Sequence, residues 1–137
     1  MGLYLCIFDG DDELDGLEIG SYFDFGTFRS AVAKHLEGGV EGSRCPTLML
    51  HSDCDGQWSP EEAVLLQGDL RAITERFMEL PPEPLGEGWK LEIAKMFGLR
   101  PKNLYDCFFD VDGEPLLDRL MGLAQLSVER NLPIIFQ

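Results

Sequence analysis

At 137 residues, with 45% hydrophobic and 26% charged residues, the chain has the size and balance of a single globular domain with a two-layer core. Its formal net charge of −14 argues against nucleic acid and anionic membrane as partners and favours basic proteins. No apolar run approaches the roughly 18 residues of a membrane span, and no basic segment precedes Asp9 as it would in a signal peptide, so the protein reads as cytoplasmic.

Taken in order, Leu3 to Phe8 is β-prone and apolar on both faces, as in a central strand. An acidic turn follows over residues 9–16, and Leu17 to Tyr22 alternates weakly, as a half-buried strand or a lead into a helix. Asp24 is placed to cap a helix reaching about Glu37, with Phe25, Phe28, Val32 and Leu36 as its apolar stripe, stopped by Gly38-Gly39. Residues 45–50, ending in Thr47-Leu48-Met49-Leu50, read as a short buried strand.

The best-marked helix comes next. Ser59 at the N-cap, Pro60 at the first position and Glu62 three residues after the cap form a capping box. Leu66, Leu70, Ile73, Phe77 and Leu80 then fall at helical spacing, and Pro81-Pro82-Glu83-Pro84 makes a stiff link that reads as a hinge. A third helix is predicted over Trp89–Phe97, stopped by Gly98. Leu104 to Phe109 is ambiguous between a helical turn and a short strand, and residues 110–113 form another acidic turn. A last helix from about Glu114 to Asn131 would bury Leu116, Leu120, Leu123 and either Ser127 or Val128, before a final strand over residues 133–136. The order predicts an α+β fold, a small mixed sheet of about four strands packed with three to four helices in a single domain, 1–137.

The densest chemistry lies in residues 51–62, which hold a His, a Cys, a Trp and four acids. Counted from His51, the stretch places Asp53, Asp55, Gly56 and Glu62 at positions 3, 5, 6 and 12 of a calcium loop. Position 1 is histidine, a poor ligand for a hard cation, and Glu62 has a competing role in the capping box. A structural turn and cap is the favoured reading, with no metal or cofactor required. In the turn at residues 11–22 the twelfth position is Tyr22, so the bidentate carboxylate is missing. His51 and Cys54 could join Cys45 and Cys107 around zinc, but no second local pair supports it. A His51–Cys54 nucleophile pair lacks a visible orienting group. The four cysteines show no CxxC spacing and are expected as reduced thiols, mostly in the core. Trp58 is either a core plug or an interface anchor.

Several segments resemble the immunity protein 70 family of bacterial polymorphic toxin systems. These are residues 2–11 with Gly20-Ser21-Tyr22, residues 48–61, Leu104 to Asp110, and the ending Pro133 to Gln137, together spread over nearly the whole chain. The resemblance implies a cytosolic protein that binds and neutralises a cognate toxin, with no catalysis and no obligatory cofactor. The charge is uneven in a way that fits: residues 1–62 carry a net of −10 and residues 63–137 a net of −4. An acidic surface would steer capture of a basic toxin such as a nuclease. The expected toxin-binding face draws on Asp9, Asp11, Asp12, Asp15, Asp53, Asp55 and Trp58. Its unity depends on topology. If residues 17–22 pair with the first strand as a hairpin, the two acidic loops fall at opposite ends of the sheet; otherwise a right-handed crossover to residues 47–50 brings them together. The rival reading is a calcium- or zinc-binding regulatory module on residues 51–62, with Asp53, Asp55 and Glu62 as calcium ligands. A third is a small enzyme acting through Cys54.

Overall fold

In a computed structural model, which describes residues 2–52, 55–86 and 88–137, the first two elements are strands β1 (Gly2–Asp9) and β2 (Asp12–Ser21). They pair antiparallel from Gly2↔Ser21 to Asp9↔Asp12 around a tight turn at Gly10-Asp11. Gly10 sits at φ 63, a left-handed conformation that glycine adopts without a Cβ penalty. The hairpin is thus real and longer than the sequence suggests. β4 (Ile134–Phe136) pairs with the other side of β1, and β3 (Gln57–Trp58) pairs with β4, giving the order β2-β1-β4-β3. All three pairings are antiparallel, so the α+β class and four strands stand while the sheet is antiparallel throughout rather than mixed.

Helix α1 (Tyr22–Leu36) begins three residues earlier than a cap at Asp24 would place it. Ser21 is the N-cap, and its hydroxyl accepts from the Asp24 amide while the Asp24 carboxylate accepts from the Ser21 amide at 2.7 Å. The predicted stripe holds: Phe25, Phe28 and Val32 are fully buried and Leu36 partly so. In α3 (Pro60–Met78) the capping box of Ser59 and Glu62 is formed in both directions, and Leu66, Leu70, Ile73 and Phe77 are fully buried. Helix α4 (Trp89–Phe97) ends at Gly98 in the left-handed region, as its sequence indicates. Helix α5 (Leu116–Arg130) ends at a left-handed Asn131 and buries Ser127 rather than Val128; the Ser127 hydroxyl donates to the carbonyl of Leu132. Residues 104–109 resolve into a 3-10 turn at Tyr105–Cys107 and a single bridge from Phe109 to Pro115.

Residues 45–50 depart from the expected strand. They form a single helical turn, α2 (Pro46–Met49), with Pro46 at its first position. Pro fits a helix start, and a four-residue apolar run has too few positions for periodicity to separate strand from buried helix. Charged side chains from two other helices hold the turn. The Asp69 carboxylate of α3 accepts from the Leu48 amide at 3.2 Å, and the Arg29 guanidinium of α1 donates to the carbonyls of Leu48 and His51 at 2.7 and 2.8 Å. Burial pushes the Asp69 carboxyl up, and bonds from the Leu48 and Thr47 amides pull it partway back.

The helices share one face of the sheet. Leu3, Leu5 and Ile7 of β1, Leu17 and Ile19 of β2, Trp58 of β3, and Ile134 and Phe136 of β4 join residues of α1, α2, α3 and α5 in one contiguous core. Tyr4, Cys6, Phe8 and Ile135 point to the opposite face and lie outside that core. Among the described residues, no helix is long and apolar enough to cross a membrane.

Candidate functional site

The hairpin tip gathers four of the predicted acids. Asp9 and Asp12 face each other across the turn, and Asp11 and Asp12 are exposed and form no ion pair with any described residue. Asp9 lies 3.3 Å from Arg130, and Asp15 lies 3.5 Å from Arg119. Arg119 also approaches Asp110 at 3.4 Å and donates to the Gly16 carbonyl, which ties α5 to the middle of β2. The tip is therefore anchored from below by two arginines while its outermost carboxylates remain free.

Asp55 does not join this group. Gln57 pairs with Ile135, which pairs with Cys6, and the strand runs parallel in sense to β1. The residues before Gln57 consequently extend towards the start of β1, at the end of the sheet away from the hairpin tip and two strands across. A strand at 47–50 would have delivered the loop at its far end; the actual strand follows the loop and reverses its position. Asp55 is thereby set apart from the acids of the hairpin tip. Asp53 and Cys54 lie outside the described residues.

Trp58 is a core plug, with no exposed surface. Its indole N–H donates to the Thr47 carbonyl at 3.0 Å, and its ring meets Phe136 edge-on at 4.7 Å and His51 at 5.2 Å. Direct contact with a partner is closed to it in this conformation. His51 stacks on Phe136 at 4.2 Å, with its ring nitrogens 2.7 and 3.0 Å from the carbonyls of Ser52 and Gln57. Those contacts oppose its use as a zinc ligand. Glu62, the would-be bidentate calcium ligand, spends Oε1 on the Ser59 amide at 3.0 Å. Among the described residues, no group of three or more His, Cys, Asp or Glu side chains could hold a metal ion.

A cleft of about 510 Å³ opens between α1 and residues 83–86 and 88–90, with Phe23 standing 81% exposed at its mouth. Inside it, the Trp89 indole donates to the Asp24 carboxylate at 3.0 Å. Burial opposes the charge on Asp24, but the bonds from Ser21 and Trp89, with Lys90 nearby, outweigh it and hold the carboxyl below its usual range. The Lys90 ammonium sits 4.7 Å from the Phe108 ring centroid and 5.4 Å from that of Phe109, and burial pushes its pKa down. Cys107, which lines the cleft, is buried, pushed up by burial, and bonded around Glu83 and Asn103. A protonated, enclosed thiol is a poor nucleophile. Cys6 and Cys45 are likewise free, buried and pushed up by burial, Cys45 to about 12.

Sequence reasoning did not single out Tyr4, Glu13 or Glu18, which the structure brings together on the uncovered face of the sheet. The Tyr4 hydroxyl donates to the Glu13 carboxylate, and its ring reaches over Gly16, where a Cβ would collide with it. The bond to Glu13 and then burial push the Tyr4 hydroxyl up to about 12. The signal was present in β1, whose residues 4, 6 and 8 form an apolar row as distinct from residues 3, 5 and 7.

No curated protein and no solved structure matches the chain. A family model described as immunity protein 70 matches residues 3–136, from the start of β1 to the end of β4. With that match spanning the hairpin, the junction at 51–62 and the closing strand alike, the chain belongs to the immunity protein 70 family, a family of toxin immunity proteins.

Proposed function

We propose that this chain, acting as a single domain over residues 1–137, neutralises a cognate secreted toxin by holding it in a stoichiometric complex, without catalysis or cofactor, in the cytoplasm of the cell that carries both. The toxin it meets is basic, as a nuclease must be around the groove that holds phosphates. The observation that carries this reading is the free acid of the hairpin tip: Asp11 and Asp12 are exposed and unpaired among the described residues, on a chain of net charge −14. Such a field draws in a cationic partner and orients it before contact. Asp9 and Asp15, braced by Arg130 and Arg119, fix the shape of the tip. Asp53 and Asp55 add to the general negative field, and Trp58 serves by holding the sheet to α2.

The test is co-expression with the C-terminal domain encoded by the reading frame immediately upstream. That domain is expected to be lethal alone, and harmless and co-purified at a fixed ratio when this chain is present. Persistent lethality, or two proteins that fail to co-purify, would overturn the reading.

A further inference from the structure

We infer that the uncovered face of the sheet is the surface on which the toxin docks, and that its occupant is a lysine- or arginine-bearing element of that toxin. The inference rests on the toxin-binding reading above and assigns it a surface.

An antiparallel sheet with helices on one side normally carries polar side chains on the other. Here the centre of the open face is Tyr4, Cys6, Phe8 and Ile135. No described helix packs on them, yet Cys6 has no exposed surface. Around this apolar centre stand Glu13 and Glu18, both exposed, with the acidic tip beyond Phe8. The four strands contain five acids and no lysine, arginine or histidine. Aromatic rings beside unneutralised carboxylates suit a side chain with an apolar stem and a cationic head. The stem lies on Tyr4 and Phe8, and the head reaches Glu13 or Glu18.

Two other occupants fit less well. A second copy of this chain would set −14 against −14 and oppose acids to acids. Strand addition at the free edge of β2 is blocked at its middle, where the Gly16 carbonyl accepts from Arg119 and the Gly16 amide donates to Asp15. The face itself is preorganised. The Tyr4 ring is held across Gly16 by its bond to Glu13, so its ordering precedes binding.

The experiment titrates the purified upstream-encoded toxin domain into this chain and its variants at low salt. Glu18→Lys reverses one rim charge at an exposed position, and Tyr4→Phe with Glu13→Gln removes the second carboxylate while keeping the ring. Phe23→Ser, at the cleft mouth, is the control. Circular dichroism and the urea midpoint establish that each variant is folded. The inference expects each open-face variant to weaken binding at least tenfold and Phe23→Ser to change it less than twofold. A wild-type complex indifferent to the open-face variants, or one lost with Phe23→Ser alone, would overturn the surface and leave the toxin-binding reading standing. No complex with wild-type protein would overturn both. Sedimentation showing that the free chain dimerises, with the dimer lost in Glu18→Lys, would also overturn it, since the face would then belong to a second copy.

Discussion

Asp24 shows how one side chain can serve three elements at once. Its carboxylate accepts from the amide and hydroxyl of Ser21 and from the indole of Trp89, joining the end of β2, the start of α1 and the start of α4. Gly20 makes room for this: at φ 125 it carries no Cβ, which would lie 2.7 Å from the Asp24 carboxylate and 3.0 Å from Trp89. The sign of the pH dependence follows from the lowered pKa. An aspartate whose folded value lies below its unfolded one stabilises the fold above about pH 4. That contribution is lost as pH falls through the folded value. Asp24→Asn is therefore expected to lower the urea midpoint at pH 7, and the gap to wild type should narrow as pH drops below about 4. A gap that stays constant down to pH 2 would mean that charge on Asp24 contributes nothing. From sequence Asp24 is visible as a cap, because capping is local chemistry. Its bond to Trp89, 65 residues away, depends on a tertiary approach that no local pattern encodes. The same distinction separates Glu62, whose cap at Ser59 is legible within four residues, from Trp58, whose burial depends on Thr47, His51 and Phe136 meeting around it.

At the level of elements, the long amphipathic helices declare themselves and the short turn does not. α3 repeats its apolar row over five turns, so misreading one position changes little; α2 has four residues, and its neighbours decide its conformation. Asp69 at its first amides and Arg29 at its last carbonyls match the dipole of the turn at both ends. Arg29 also lies 4.3 Å over the Phe25 ring, so a contact within α1 helps to orient the guanidinium that meets α2. This arrangement moved the third strand from residues 47–50 to residues 57–58 and put Asp55 at the far end of the sheet. Arg29→Leu leaves the carbonyls of Leu48 and His51 without this donor, at an expected cost of about 1–3 kcal/mol in a urea titration. The loss should be local first. Amide exchange at Met49 and Leu50, whose N–H groups bond to the carbonyls of Cys45 and Pro46, should quicken at least tenfold, while amides in the middle of α3 stay protected. Uniform quickening across the molecule would mean that α2 unfolds only with the whole.

For the whole molecule, charge and topology act over different ranges and divide the work of binding. The negative field belongs to the sequence and was legible there; which carboxylates stand next to one another was not, because strand order decides it. The hairpin tip adjoins the open face at the paired Phe8 and Glu13, whereas Asp55, two residues before Gln57, lies towards the start of β1 and two strands across. A basic toxin would first be drawn by the tip and then settle on the apolar centre around Tyr4 and Phe8. Those two steps respond differently to salt and mutation. The Debye length falls from about 30 Å at 0.01 M salt to about 3 Å at 1 M, so steering fades while contact across the aromatic centre persists. Asp11→Asn combined with Asp12→Asn is expected to slow association several-fold at low salt, with little change in dissociation. Glu18→Lys, on the face itself, should chiefly speed dissociation. Stopped-flow association measured across that salt range distinguishes the two. If the tip variant sped dissociation as strongly as Glu18→Lys, the tip would lie inside the contact, and the docking face would have to extend over the turn at Gly10-Asp11.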